Sequence, residues 1–478
     1  MNARTAPSAA DLLNRRRFLR RGACGIGGLA LGNLLADDRG VRAAGPHFPG
    51  TAKNIIFLMM AGAPSQLDLF EDKPKLRELD GKTIDPVLIA DMRFPAVGRK
   101  GVPKLLGSPY RFKRHGQSGA ILSELLPNLS TVVDDIAFIK SMHTNTTAIN
   151  HQDGQLFFTT GALREGHPSL GAWVSYGLGN ANQDLPGFVV LISNQIPRGG
   201  ASIYGPGFLP GQHQGVPFRG QGDPVLFLAN PNGIPADARR RSLDTLNQLN
   251  RMQLDLVGDP EIATRIDSFE LAYKMQTSVP GLMDIRQEPA SVLAMYGAEP
   301  GAQSFANNCL LARRLVEQGV RMVQLVDLDW DHHGDRKQRD LLHALPDQCR
   351  GADQAVTALL KDLKQRGLLE ETLVVWGAEF GRTPMREERN DSGFLGRDHH
   401  TRAFTVWMAG GGVKPGVTYG ATDDIGLIVT ENPVHTHDLH ATILHLLGMD
   451  HKRLTYRHSG RDFRLTDVYG EVVKEIFA

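Results

Sequence analysis

The sequence predicts an α/β fold: a mostly parallel central sheet with helices on both faces. Two patterns carry that reading. Apolar runs rich in β-branched residues alternate with helical patterns, the mark of βαβ units. Several of those runs are apolar throughout, as strands covered on both faces must be.

In chain order, strands are expected at Asn54–Met60, Ile136–Ile139, Gly187–Ile192, Arg321–Leu328, Thr372–Trp376 and Phe404–Ala409. Helices are expected at Ser123–Asp135, Ser304–Gln318, Ala352–Arg366 and Asp438–Leu447. Gly319 and Gly367 stand where two of them should end, since glycine accepts the left-handed conformation that closes a helix. Residues 194–236 are rich in Gly, Pro and Gln and read as a long surface excursion, a lid over a site. Residues 237–300 look helical and polar. Together 194–300 form a lid and helical insertion within one domain spanning 45–478.

The chain has 478 residues, with 53 Lys plus Arg against 52 Asp plus Glu. So even a balance gives no electrostatic reason to expect nucleic acid or an anionic membrane as partner. Of three cysteines, Cys24 lies near the N-terminus, so Cys309 and Cys349 could form at most one intramolecular disulfide in the remainder. Disulfides are not the framework.

Residues 1–44 read as a leader. A basic stretch, Asn14 to Arg20, precedes a Gly/Ala/Leu run from Gly22 to Ala36, and Ala43-Ala44 offers a cut site. That run is too short to span a bilayer comfortably, and the order of parts is that of a signal peptide. Arg15-Arg16-x-Phe18-Leu19 resembles a twin-arginine signal. The resemblance implies the twin-arginine machinery as a partner, a periplasmic or secreted protein, no transmembrane span in the mature chain, and a fold completed before export.

The chemistry gathers where the strands end. Asn54–Met60 leads into Ala61-Gly62-Ala63-Pro64-Ser65 and on to Asp68. Ile136–Ile139 leads to His143 and to Thr147, Asn150 and His151. Arg321–Leu328 leads to Asp329-Trp330-Asp331-His332-His333, and Thr372–Trp376 to Glu379-Phe380-Gly381-Arg382. Asp398-His399 falls just before Phe404. Function in open α/β sheets sits beyond the carboxyl ends of strands, and divalent ions need carboxylates and imidazoles converging from distant segments. Each of these residues also has a plain structural use, such as capping a turn or pairing with an arginine. His440 and His445, at helical spacing, fit packing roles, and His115, His213 and His458 fit the surface.

Over roughly residues 50–478 the chain resembles the alkaline phosphatase–sulfatase superfamily and, within it, a group of twin-arginine-exported relatives. The narrower resemblance rests on Gly62-Ala63-Pro64-Ser65-x-x-Asp68, Trp330-Asp331-x-His333-Gly334, Glu379-Phe380-Gly381-Arg382-Thr383-Pro384, Gly396-Arg397-Asp398-His399 and Asp438 to Leu444. The broader one includes Thr147-Ala148-Ile149-Asn150-His151, similar to a segment in which Thr is nucleophile and Asn holds a phosphoryl oxygen. It implies metal ligands among Asp68, Asp329, Asp331, His333, Glu379, Asp398 and His399. It also implies Thr147, Asn150 and Arg382 as catalytic groups. Three departures stand out. Ala61-Gly62 replaces the usual Asp after the first strand. Phe380 replaces an imidazole beside Glu379. The Cys/Ser-x-Pro-x-Arg motif of formylglycine sulfatases is absent.

The resulting expectation is an exported, metal-dependent hydrolase of phosphate or sulfate esters, small-molecule or polysaccharide. Its divalent metal would be zinc, with manganese or calcium as alternatives. The rival expectation is a catalytically degenerate exported protein that binds carbohydrate or cell-surface ligands.

Overall fold

A computed structural model describes residues 45–478 apart from 99–100, 146, 221, 227, 231–232 and 389–391. Residues 1–44, read from the sequence as a leader, lie outside the described residues.

Nine strands form the central sheet: β1 (Asn54–Met60), β2 (Ile136–His143), β3 (Phe188–Ile192), β4 (Val216–Phe218), β5 (Met322–Asp327), β6 (Thr372–Gly377), β7 (Phe404–Ala409), β8 (Thr418–Tyr419) and β9 (Val434–His435). Their order is β8-β2-β7-β6-β1-β5-β3-β4, with β9 also on β2. Every pairing is parallel except those of β7, which runs antiparallel to both β2 and β6.

The apolar strands alternate their side chains between two cores. Ile56, Leu58 and Met60 enter one, and Ile55, Phe57 and Met59 enter the other. This follows from the period of two along a strand. Helices α5 (Phe305–Glu317) and α6 (Ala344–Gln365) cover the first core. Helices α2 (Leu170–Leu178) and α7 (Thr436–Leu446) cover the second. The α/β layering expected from the sequence is therefore the observed one.

Elsewhere, α1 (His151–Thr160) follows β2, while α3 (Ala236–Val257) and α4 (Pro260–Met283) pack on each other. Among the described residues no helix is long and apolar enough to cross a membrane.

One helix expectation is corrected. Ser123–Asp135 is the end of a short strand followed by two single 3-10 turns, Leu129–Thr131 and Val133–Asp135. Pro127 interrupts the pattern, since proline cannot supply the N–H of a helix interior. The freed N–H groups of Asn128 and Leu129 are taken by the Asp353 carboxylate of α6, at 2.7 and 2.8 Å.

Register brings the strand ends together. Met60 pairs with Asp327, and Met59 with Gly377. The segments following β1, β5 and β6 therefore leave the sheet at one edge, side by side.

Candidate metal centre

At that edge His151, Asp331, His333 and His399 each place one ligand-competent atom within 4.8 Å of the others. His151 is the first residue of α1. Asp331 and His333 follow β5, and His399 comes from an antiparallel pair formed by Gly381–Arg386 and Arg397–His400.

All three imidazoles are anchored through Nδ1. His151 Nδ1 meets Glu379 Oε1 at 2.7 Å, His399 Nδ1 meets the Ile149 carbonyl at 2.7 Å, and His333 Nδ1 meets Glu387 Oε2. A carbonyl only accepts, so the His399 proton sits on Nδ1. Carboxylates favour the same tautomer in the other two. The Nε2 lone pairs then face inward: His399 Nε2 lies 3.1 Å from His333 Nε2. Asp331 Oδ1 lies 3.1, 2.7 and 3.5 Å from the Nε2 atoms of His151, His333 and His399. A neutral imidazole anchored by Nδ1–H to an oxygen is the ordinary metal-ligating arrangement. In a tetrahedron with ligand bonds of about 2.0 Å, the edges are about 3.3 Å, and the observed distances bracket that value. Three lone pairs and a carboxylate oxygen repel one another unless a cation or protons lie between them. The donor set therefore fits a divalent ion of the zinc type.

Where no cation lies between the donors, a proton on His151 stands in for it. Burial pushes His399 down to about 3, leaving it neutral. Burial also pushes His151 down, but its hydrogen bonds to Asp331 and Glu379 outweigh that and raise it. For Asp331, burial works upward, yet the Arg382 guanidinium and the three imidazoles hold the carboxyl well below its usual range. Arg382 Nη2 reaches Asp331 Oδ1 at 2.6 Å, and Arg339 donates to Oδ2.

The other residues singled out in the sequence are placed as follows. Glu379 Oε1 accepts from Gly62 N at 3.0 Å, His151 Nδ1 at 2.7 Å and Gln155 Nε2 at 3.3 Å. It touches the cluster through His151. Asp68 is fully buried and paired with Arg397, Nε to Oδ2 at 2.7 Å and Nη2 to Oδ1 at 3.2 Å. Ser65 Oγ donates to the same Oδ2 at 2.5 Å, so Asp68 is spent away from the cluster. Asp398 accepts from the backbone N–H of Ala96, Val97 and His399 and tethers a loop, and it also lies with His333 and Glu387 in a second group whose ligand-competent atoms are within 4.8 Å of one another. Asp329 has φ of +73° and accepts from Asn194 at 3.0 Å, outside the cluster. Asn150 caps α1 through the N–H of Asp153. Thr147 Oγ1 donates to Asn145 at 2.7 Å, in a separate hollow lined by Arg93, His400 and Arg402.

Two departures from the superfamily pattern acquire a geometry. The ring of His151 lies on Phe380 at 5.3 Å and 30°, so an imidazole from α1 stands beside the position where one was missing. Gly62 has no room for a side chain, because a Cβ there would come within 2.8 Å of the Asp331 backbone nitrogen. Sequence reasoning does not select His151, Glu387 or Arg339 as site residues. For His151 the signal is available, since it sits in the quoted Thr147–His151 segment.

The cluster opens onto a cleft of about 850 Å³. Arg198, Arg336, Lys337 and Arg339 line it together with Asp329, Asp331 and Asp347, as does His343. His343 Nδ1 is held at 2.8 Å by the buried Asp340 carboxylate.

The sequence matches no curated protein. Three solved structures overlay only partly. The lipoteichoic acid synthase LtaP from Listeria monocytogenes is 9% identical over 90% of this chain and 78% of that one, with a TM-score of 0.35. The PsFucS1 sulfatase from Pseudoalteromonas sp. is 13% identical over 88% and 70%, with a TM-score of 0.35. The alkaline phosphatase from the Antarctic bacterium TAB5 is 12% identical over 83% and 98%, with a TM-score of 0.32. Residues 52–477 match the family described as Protein of unknown function (DUF1501), and the chain belongs to that family.

Proposed function

We propose that this protein is an exported, metal-dependent hydrolase of phosphate or sulfate esters. The observation that carries the reading is the convergence of three Nδ1-anchored imidazoles and Asp331 on one point at the floor of a basic-rimmed cleft. A divalent ion bound there supplies Lewis-acid polarisation of an ester oxygen and acidifies water.

The chain's own groups do the rest. His151, His333, His399 and Asp331 hold the ion. Arg382 and Arg339 fix the Asp331 carboxylate. Arg198, Arg336 and Lys337 receive the ester's anionic oxygens, as guanidinium and ammonium groups do for transferring phosphoryl groups. Thr147 and Asn150 are engaged elsewhere, and we assign the attack to water. His343, tethered by Asp340, donates the proton that the departing alcohol needs.

The test is elemental analysis of the folded protein with a screen of phosphate and sulfate monoesters, repeated on Asp331→Ala and His333→Ala. The expected result is about one equivalent of zinc, with turnover, both lost in the variants. Full metal content and activity in the variants would refute the site. Metal without turnover of any ester would leave a binding protein. Export is assigned to the Arg15-Arg16 leader. Replacing both arginines with lysine should leave the precursor in the cytoplasm, and unchanged export would reject that route.

A further inference from the structure

A second cavity, of about 630 Å³, lies away from the metal cluster, at the opposite end of α1. His151 begins that helix at the cluster. Thr160 and the capping Gly161 end it in the wall of the cavity, about 15 Å away by helical rise. None of the cluster residues lines it.

Three features of its wall point to a ligand. The first is charge. Arg164, Arg461 and Arg464 face it against a single acid, Asp467. Asp467 is occupied, since its carboxylate accepts from Arg461 and its backbone carbonyl from Arg464. The second is an aromatic platform. Tyr469 is 61% exposed, with one face laid on the His437 ring at 5.3 Å and 7°. The third is an unsatisfied polar atom. His437 is only 3% exposed and lines the cavity. Its Nε2 donates to the Gly161 carbonyl at 2.9 Å, which leaves Nδ1 as an acceptor, and Nδ1 has no partner among the described residues. A buried acceptor without a partner is costly; it is closed to solvent beneath the exposed Tyr469 ring, so a ligand hydroxyl satisfies it where that ring shifts aside.

Anion receptors, an aromatic face and a hydroxyl acceptor together describe one ligand class. We propose that this cavity binds an acidic sugar residue. Its carboxylate or sulfate would meet Arg164 and Arg464, a hydroxyl would donate to His437 Nδ1, and the C–H face of its ring would lie on Tyr469. A nucleotide fits less well, because none of the ring pairs made by the other aromatic groups of the wall, Phe157, His167, His435 and Phe463, is parallel, so they form no slot for a base. The proposal stands on this cavity alone and is independent of the hydrolase reading.

The experiment is calorimetric titration of the full mature protein with tetragalacturonate, maltotetraose and AMP, repeated on Arg164→Ala and Tyr469→Ala. Both substitutions are at exposed positions and outside the metal cluster. Saturable binding of tetragalacturonate is expected, with maltotetraose at least about tenfold weaker, and each variant should lose about tenfold or more in affinity. Tetragalacturonate binding that is absent, or unchanged in both variants and so located in the basic cleft, would overturn the proposal. So would tighter binding of AMP. Metal content should be the same in all three proteins, so that failure here and failure of the metal site are read separately.

Discussion

Asp68→Asn separates a structural carboxylate from a metal ligand. Asp68 and Arg397 are both fully buried, joined by two hydrogen bonds of 2.7 and 3.2 Å. The substitution keeps the shape and removes the charge, leaving the guanidinium buried and uncompensated. Breaking one side of such a pair costs about 3–5 kcal/mol. In a chain this long, each kcal/mol moves the melting temperature by roughly 1–2 °C, so a fall of about 3–10 °C is expected. Arg397 also donates to the carbonyls of Leu106 and Thr383. The double variant Asp68→Leu/Arg397→Met should therefore regain part of the loss, though not all, because those carbonyls lose their donor. The assay is differential scanning calorimetry with parallel metal analysis. An unchanged melting temperature in Asp68→Asn, together with missing metal, would refute the reasoning and return Asp68 to the ligand set.

Three further predictions rest on single contacts. Glu387→Gln weakens the anchor of His333 Nδ1 and should lower zinc affinity about 10- to 100-fold, measured by competition with a chelator; unchanged affinity would remove Glu387 from the site. His343→Gln should leave metal content intact while lowering turnover about 100-fold or more; unchanged turnover would exclude it as the proton donor. Asp327 is pushed up to about 7 by burial, against the hydrogen bonds from Trp330 and Gln348. Between the ordinary carboxyl value near 4 and about 7, the unfolded chain releases a proton that the folded one keeps. This contribution to stability is full at low pH and is lost as pH rises through that window. Asp327→Asn should flatten the slope in urea unfolding from pH 5 to 8, and an unchanged slope would contradict it.

The six long strands are legible because each carries an apolar core, several of them apolar throughout, as burial on both faces demands; Ile136–His143 runs on past the expected Ile139 through Lys140 and Ser141. Ser123–Asp135 is not, because its fate depends on Asp353, more than two hundred residues away, capturing its N–H groups. The same distinction runs through the site. Asp331 and His333 can be picked out by type and position after a strand, and His399 by its place just before one. Asp68 has the same credentials, yet its carboxylate is consumed by Arg397, a pairing that no local pattern announces. His151 escapes notice because an imidazole is expected next to Glu379 in sequence, whereas α1 brings one there in space.

Glu379 has a consequence for how the cleft and the cluster communicate. The oxygen that orients His151 also accepts from Gln155, and Gln155 accepts the backbone N–H of Gly199, in the segment that carries Arg198 into the cleft. The cleft rim and the ligand-competent floor thus share one amide side chain. Any displacement of the Gly199 segment changes the number of donors on Glu379, and with it the basicity of His151. By linkage, occupancy of the cluster must in turn bias the resting position of that segment. Residence time of a product at the rim and residence time of the ion would then rise and fall together.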